Sequence, residues 1–175
     1  MKTAIRHALL ALLLGSSATG ALLAAEAGAV TVIFSQPEKY ADLKDDNTDN
    51  DNAQGRGRYL PPLQEHLQRE AGRLLTAGQK LTVTFTDIDL AGDFEPWHGP
   101  QFDHVRILKD IYMPRLTFKF TLTDASGKVL REGERKLADP AYQMRITRAF
   151  PNDDLRYEKD MLGDWLRDEF RPKRN

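Results

Sequence analysis

Apolar residues along this chain fall into stretches with a period of two and stretches with a helical period, divided by polar segments. The run Val30-Thr31-Val32-Ile33-Phe34, ended by Pro37, reads as a first strand. Asp, Asn, Gly and Arg then dominate from Asp42 to Gly57, which reads as a loop. Leu60, Leu63, Leu67, Ala71 and Leu74 recur at helical spacing. They predict a helix from about 59 to 76, with Pro61 and Pro62 in its first turn and Gly78 ending it.

Leu81, Val83 and Phe85 alternate with threonines, but the next apolar residues are Ile88 and Leu90, so the phase slips by one residue. Either a bulge near Thr86 and Asp87 turns Ile88 and Leu90 to the core, or the register holds and Asp87 and Asp89 point inward. The cost of burying two unpaired carboxylates favours the bulge. In both cases the two aspartates share a face. Leu116 to Leu122 alternate without a break, and Asp124-Ala125-Ser126-Gly127 turns the chain into a charged strand from 128 to 137, expected at a sheet edge or heavily solvated. Val105 and Ile107 predict a further short strand. Leu155, Met161, Leu162, Trp165, Leu166 and Phe170 form the stripe of a closing helix, with Asn152, Asp153 and Asp154 placed to cap it. This order predicts an α+β fold: one mixed or mostly antiparallel sheet of about four to five strands, with two helices packed on one face.

The first 27 residues stand outside that pattern. Lys2 and Arg6 precede a short apolar run from Ala8 to Leu14, and Ala25-Glu26-Ala27 offers a small-x-small cleavage pattern, so residues 1–27 read as a signal peptide and 28–175 as one domain. The expected address is the periplasm. The apolar run falls short of the roughly 20 residues that span a bilayer, and no later segment is apolar enough, so the processed chain is expected to be soluble. Its 148 residues can bury roughly 70% of the unfolded chain's surface in one core. Losing Lys2, Arg6 and Glu26 leaves 23 basic against 25 acidic side chains, a near-neutrality that argues against a general nucleic-acid or anionic-membrane binder. The absence of cysteine excludes disulfides, thiolate metal sites and cysteine nucleophiles.

Two strings are recognisable together: Thr86-Asp87-Ile88-Asp89-Leu90-Ala91-Gly92-Asp93-Phe94-Glu95-Pro96-Trp97, and the segment from Tyr157 through Glu158 to Trp165. With Pro37-Glu38-Lys39-Tyr40 and the stretch from Asp103 to Arg106, they make the chain resemble the family catalogued as domain of unknown function 3016, found in exported proteins of Gram-negative bacteria. The resemblance covers nearly the whole chain after residue 27. It implies the periplasm, and it brings no activity or catalytic residues with it.

The densest chemistry lies in Asp87, Asp89, Asp93, Glu95, Trp97, His98, Asp103, His104 and Arg106. Asp87, Asp89, His98 and His104 are candidate ligands for a transition metal, with Glu95 as general base in a metal-dependent hydrolase. No His-x-Glu-x-x-His spacing supports that set, and two histidines in a Gly-Pro loop have no geometry set by local structure. The plainer reading has the carboxylates capping loop amides and pairing with Arg106 or Arg115, while Trp97 closes over the core edge. The acidic run from Asp45 to Asn52 resembles the start of a calcium loop, but Asn50 stands where glycine is needed and Arg56 where glutamate is needed. Ser35 and Ser126 are the serines after residue 27, and neither sits in a nucleophile elbow. His66 lies one step from the first helix's stripe, where a boundary histidine is commoner than a ligand.

The reading that follows is a non-catalytic binding or accessory domain of the cell envelope, with no cofactor. Its contacts run through Asp87, Asp89, Glu95, Trp97, His98, Asp103, His104 and Arg106 to an envelope protein or small ligand, and Trp97 is the anchor. A monomer is expected. The alternatives are the hydrolase and a structural subunit that pairs through the exposed hairpin edge.

Overall fold

The computed structural model describes residues 28–43, 51–95, 97, 99, 101, 105–144 and 152–170, and of residues 51–54 the backbone alone. Strand β1 (Ala29–Phe34) is followed by helix α1 (Asp51–Gly72) and strand β2 (Lys80–Asp89). An excursion carries β3 (Asp93–Phe94) and β4 (Arg106–Ile107), after which β5 (Arg115–Thr123), β6 (Val129–Ala138) and helix α2 (Arg156–Phe170) close the chain. The main sheet has the order β1-β2-β5-β6, with β1 parallel to β2 and the other neighbours antiparallel. The fold is thus α+β with a mixed four-stranded sheet, and β3 and β4 form a separate small sheet instead of joining it.

Alternation puts Val30, Val32, Leu81, Val83, Phe85, Phe118 and Phe120 on one face of the sheet. That face meets Leu63 and Leu67 of α1 and Leu162, Trp165 and Leu166 of α2 in one continuous core, so both helices cover the same side. Phe118 and Phe120 meet the Trp165 ring edge-on, at 4.6 and 5.4 Å between centroids. These aromatic pairs tie α2 to the sheet centre.

The phase slip in β2 is a bulge. Phe85 pairs with Phe118 and Asp87 with Thr117, leaving Thr86 as the extra residue. Ile88 and Leu90 are buried beyond it, and Asp87 and Asp89 lie on the outer, part-exposed face. The first helix departs from expectation at its start. It begins at Asp51 instead of about 59 and ends at Gly72, so the loop expected to Gly57 is shorter and Pro61 and Pro62 sit inside the helix. Two long-range ties hold the turns before the prolines: Arg56 Nη1 donates to the Leu43 carbonyl at 3.0 Å, and Arg58 pairs with Asp154. Tertiary contacts here override the local cost of proline. The leader and residues 45–50 of the calcium-like run lie outside the described residues.

The cap of α2 forms as its composition implies, with the Asp153 carboxylate accepting the Leu155 N–H at 2.9 Å and holding Lys159 Nζ at 2.5 Å. His66, buried at the α1–α2 contact, meets the Lys159 carbonyl through Nε2 at 3.1 Å and Arg69 through Nδ1 at 3.3 Å. A carbonyl accepts and a guanidinium donates, so the ring is the neutral Nε2–H tautomer. Burial pushes its pKa down.

Candidate functional site

Between β2 and β5 the chain leaves the main sheet at Leu90 and returns at Pro114, and this excursion contains most of the candidate residues. Its departure needs Gly92, whose φ of +80° is left-handed and where a Cβ would stand 2.8 Å from the Ile107 carbonyl oxygen. The Gly92 amide in turn donates to the Tyr112 carbonyl at 2.9 Å, closing the excursion at its base.

Three ionisable side chains from three distant segments meet at that base. The Asp42 carboxylate accepts the Leu90 N–H at 2.8 Å and pairs with Arg106. Arg106 Nε donates to the Ala91 carbonyl at 2.9 Å, and its guanidinium stands 5.0 Å from the centroid of the Phe94 ring. From α2, the fully buried Glu158 accepts the Ala91 N–H at 2.7 Å through Oε1, while its Oε2 has no hydrogen-bond partner among the described residues. Burial pushes the Glu158 carboxyl up to about 7, opposed by the Ala91 amide and Arg106 and reinforced by Asp42. Burial also raises Asp42, against the pull of Arg106.

A second clamp lies farther along. Glu95 is buried, with Lys109 Nζ at 2.5 and 2.7 Å from its two oxygens and Tyr112 donating its hydroxyl at 2.8 Å. Tyr142, after β6, donates its hydroxyl to the Lys109 carbonyl at 2.9 Å and packs edge-on against Tyr157 of α2 at 4.8 Å. Ala91, Tyr142 and Tyr157 thereby form a small second core, separate from the main one.

Three of the candidate carboxylates are engaged in structural bonds. Asp87 Oδ1 accepts the Ala41 N–H at 2.8 Å, Asp89 pairs with Arg115 at 2.7 Å, and Glu95 is held by Lys109 and Tyr112. Two details of the plainer reading need correction. Arg106 pairs with Asp42 and not with a carboxylate of the excursion, because Asp42 is the acid that the turn after Pro37–Lys39 brings to Leu90. Trp97 does not close over the core edge: it is 69% exposed, since the second core is already filled by Tyr142 and Tyr157. Phe94, Val105, Leu108 and Ile111 of the same excursion are also exposed, Ile111 to 72%. His98, Asp103 and His104 lie outside the described residues. Among the described residues no three His, Asp or Glu side chains are grouped to hold a metal ion, and no helix is long and apolar enough to cross a membrane.

Asp42, Glu158 and Tyr142 were not among the sequence candidates. Only Glu158 left a signal: it falls on the apolar stripe of α2, three residues after Leu155 and four before Leu162, where a carboxylate must be buried or bonded.

The match of residues 28–168 to the family described as protein of unknown function DUF3016 decides the relationship. The chain belongs to that family. No curated protein matches it. A solved structure of a PelC dodecamer from Paraburkholderia phytofirmans, a variant with one substitution, is similar over 86% of this chain and 88% of that one, at 8% identity and a TM-score of 0.43. That likeness is too slight to bear on function.

Proposed function

We propose that this DUF3016 domain is an exported, non-catalytic binding module of the cell envelope that seizes its partner through the excursion between β2 and β5, with Trp97 as the anchor. One observation carries the reading. The excursion's base is clamped by Asp42, Arg106 and Glu158, while Trp97 and Ile111 stand largely exposed beyond it. A rigid base under exposed aromatic and aliphatic side chains is the arrangement that lowers the ordering cost of binding. The engagement of Asp87, Asp89 and Glu95 in structural bonds supports binding over hydrolysis. Export is supported by the leader composition and by a family match that starts at Gly28, one residue after the expected cut.

The test replaces Trp97 with a photo-crosslinking phenylalanine derivative in the producing cell. One discrete adduct in the periplasmic fraction, absent when the probe is moved to exposed Lys119 on the outer face of the main sheet, supports the reading. Stoichiometric transition metal in the natively purified, untagged protein, or hydrolytic turnover lost in Asp87→Asn with Asp89→Asn, replaces it with the hydrolase.

A further inference from the structure

We infer that Glu158 is a proton-operated latch on the excursion between β2 and β5, closed while its carboxyl is protonated and released as it ionises. The latch acts at Ala91, where the chain leaves the main sheet. Glu158 Oε1 accepts the Ala91 N–H at 2.7 Å, and Arg106 Nε donates to the Ala91 carbonyl at 2.9 Å. Glu158 is fully buried, and its Oε2 has no hydrogen-bond partner among the described residues. An ionised carboxylate there has lost its water and has no donor on one oxygen to replace it. A neutral carboxyl keeps the bond to Ala91 at a much smaller cost of burial.

The surrounding charges act in the same direction. Arg106 of β4 attracts a charge on Glu158, but it is already paired with Asp42, whose carboxylate repels that charge and also accepts the Leu90 N–H. With Glu158 protonated, Asp42 and Arg106 balance; with it ionised, one guanidinium serves two buried carboxylates. The other ionisable groups nearby have partners of their own. Asp89 of β2 pairs with Arg115 of β5, and His66 of α1 meets the Lys159 carbonyl while Lys159 pairs with Asp153. Tyr142, after β6, donates to the Lys109 carbonyl, and Arg156 of α2 lies over the Tyr157 ring. Opening the excursion returns Glu158 to water, where its carboxyl falls from about 7 to its ordinary 4.5. Each pH unit between those values therefore favours the open form by up to about tenfold, and the effect levels off above 7. Trp97 and Ile111 lie on the excursion, so, resting on the binding role proposed above, the grip on a partner is firmest in mild acid and loosens toward pH 8.

The experiment is amide hydrogen exchange of the processed chain between pH 5 and pH 8, expressed as protection factors so that base catalysis of exchange is divided out. The probes are the Ala91 amide, bonded to Glu158, and the Gly92 amide, bonded to the Tyr112 carbonyl. Both should be less protected than Phe118 and Phe120 of β5 at every pH, the mark of a local opening. Their protection should fall about 50-fold from pH 5 to pH 8 in the parent and stay flat in Glu158→Gln, which keeps an acceptor for Ala91 without a charge. Carbon-13 NMR of the Glu158 carboxyl in the parent, a readout that needs no variant, should titrate with its midpoint near 7. The inference is overturned by pH-independent protection at Ala91 and Gly92, by the same fall in Glu158→Gln, or by protection equal to that of β5. A Glu158 carboxyl that titrates at its ordinary value overturns it as well. None of these readouts involves a partner, so failure of the latch is distinct from failure of the binding role, which the cross-link at Trp97 judges.

Discussion

The Glu158 carboxylate and the Arg106 guanidinium grip one residue from opposite sides: Glu158 accepts the Ala91 N–H at 2.7 Å and Arg106 donates to the Ala91 carbonyl at 2.9 Å. A residue at the point where the chain leaves the sheet is thus held by helix α2 and by β4 together. The excursion cannot swing about Ala91 without breaking a buried bond to one of them.

The same arrangement makes stability depend on pH in a stated direction. The Glu158 carboxyl is raised by burial from 4.5 to about 7, so the native chain keeps a proton that the unfolded chain releases. Stability is complete below the unfolded value and is lost as pH rises from about 4.5 through 7. At about 1.4 kcal/mol per unit, the loss by pH 8 is about 3 kcal/mol. His66, whose pKa is lowered by burial, works the other way, losing stability as pH falls below the free-histidine range. The comparison that isolates Glu158 is Glu158→Gln. Urea unfolding at pH 5 and pH 8 should show the variant gaining on the parent by about 2–3 kcal/mol between the two, since part of the loss precedes pH 5. Parallel behaviour at both pH values would show that Glu158 does not titrate in this window.

Arg106→Ala should cost about 3–5 kcal/mol, because Asp42 keeps its buried position with its cation gone. Arg106→Lys should recover little, since a lysine cannot serve Asp42, the Ala91 carbonyl and the Phe94 ring at once. A double-mutant cycle with Asp42→Asn, read by urea unfolding, should give a coupling above about 1 kcal/mol.

The two tryptophans should separate stability from binding. Trp165→Ala removes a ring packed against Phe118, Phe120 and Phe170, and should cost about 3–5 kcal/mol. Trp97→Ala should stay within about 0.5 kcal/mol of the parent in the same unfolding assay, because its ring is mostly in solvent. A large loss of stability for Trp97→Ala would mean that the ring packs on the fold and is not presented to a partner.

How legible the fold was depended on the range of the forces involved. Alternation and helical periodicity are local, and they located β2, β5, the hairpin and α2, down to the extra residue in β2. The start of α1 was hidden, because what holds the turns before Pro61 and Pro62 comes from Leu43 and Asp154, distant in sequence. The site was read by density, and density gathered residues such as Asp87 and Asp89 that structure uses separately. Asp42 lies 64 positions from Arg106, and no spacing rule joins them. Glu158 could have been caught, since a carboxylate on an apolar helical stripe demands a partner.

The bulge in β2 yields the sharpest test of that reading. Thr86 is the unpaired residue between Phe85, opposite Phe118, and Asp87, opposite Thr117. Deleting Thr86 restores plain alternation, with Phe85, Ile88 and Leu90 still inward and Asp87 and Asp89 still outward. The deletion should therefore fold, at the cost of the Thr86 hydroxyl bond to the Thr117 carbonyl and a local straightening of the strand. Deleting Thr84 instead turns Phe85 to solvent and Thr86 inward, a loss comparable to Phe→Ala in a core, about 3–5 kcal/mol. Urea midpoints of the two deletions compared with the parent decide it. A Thr86 deletion at least as damaging as the Thr84 deletion would show that the bulge itself, and not the facing of Phe85, Ile88 and Leu90, is what β2 requires.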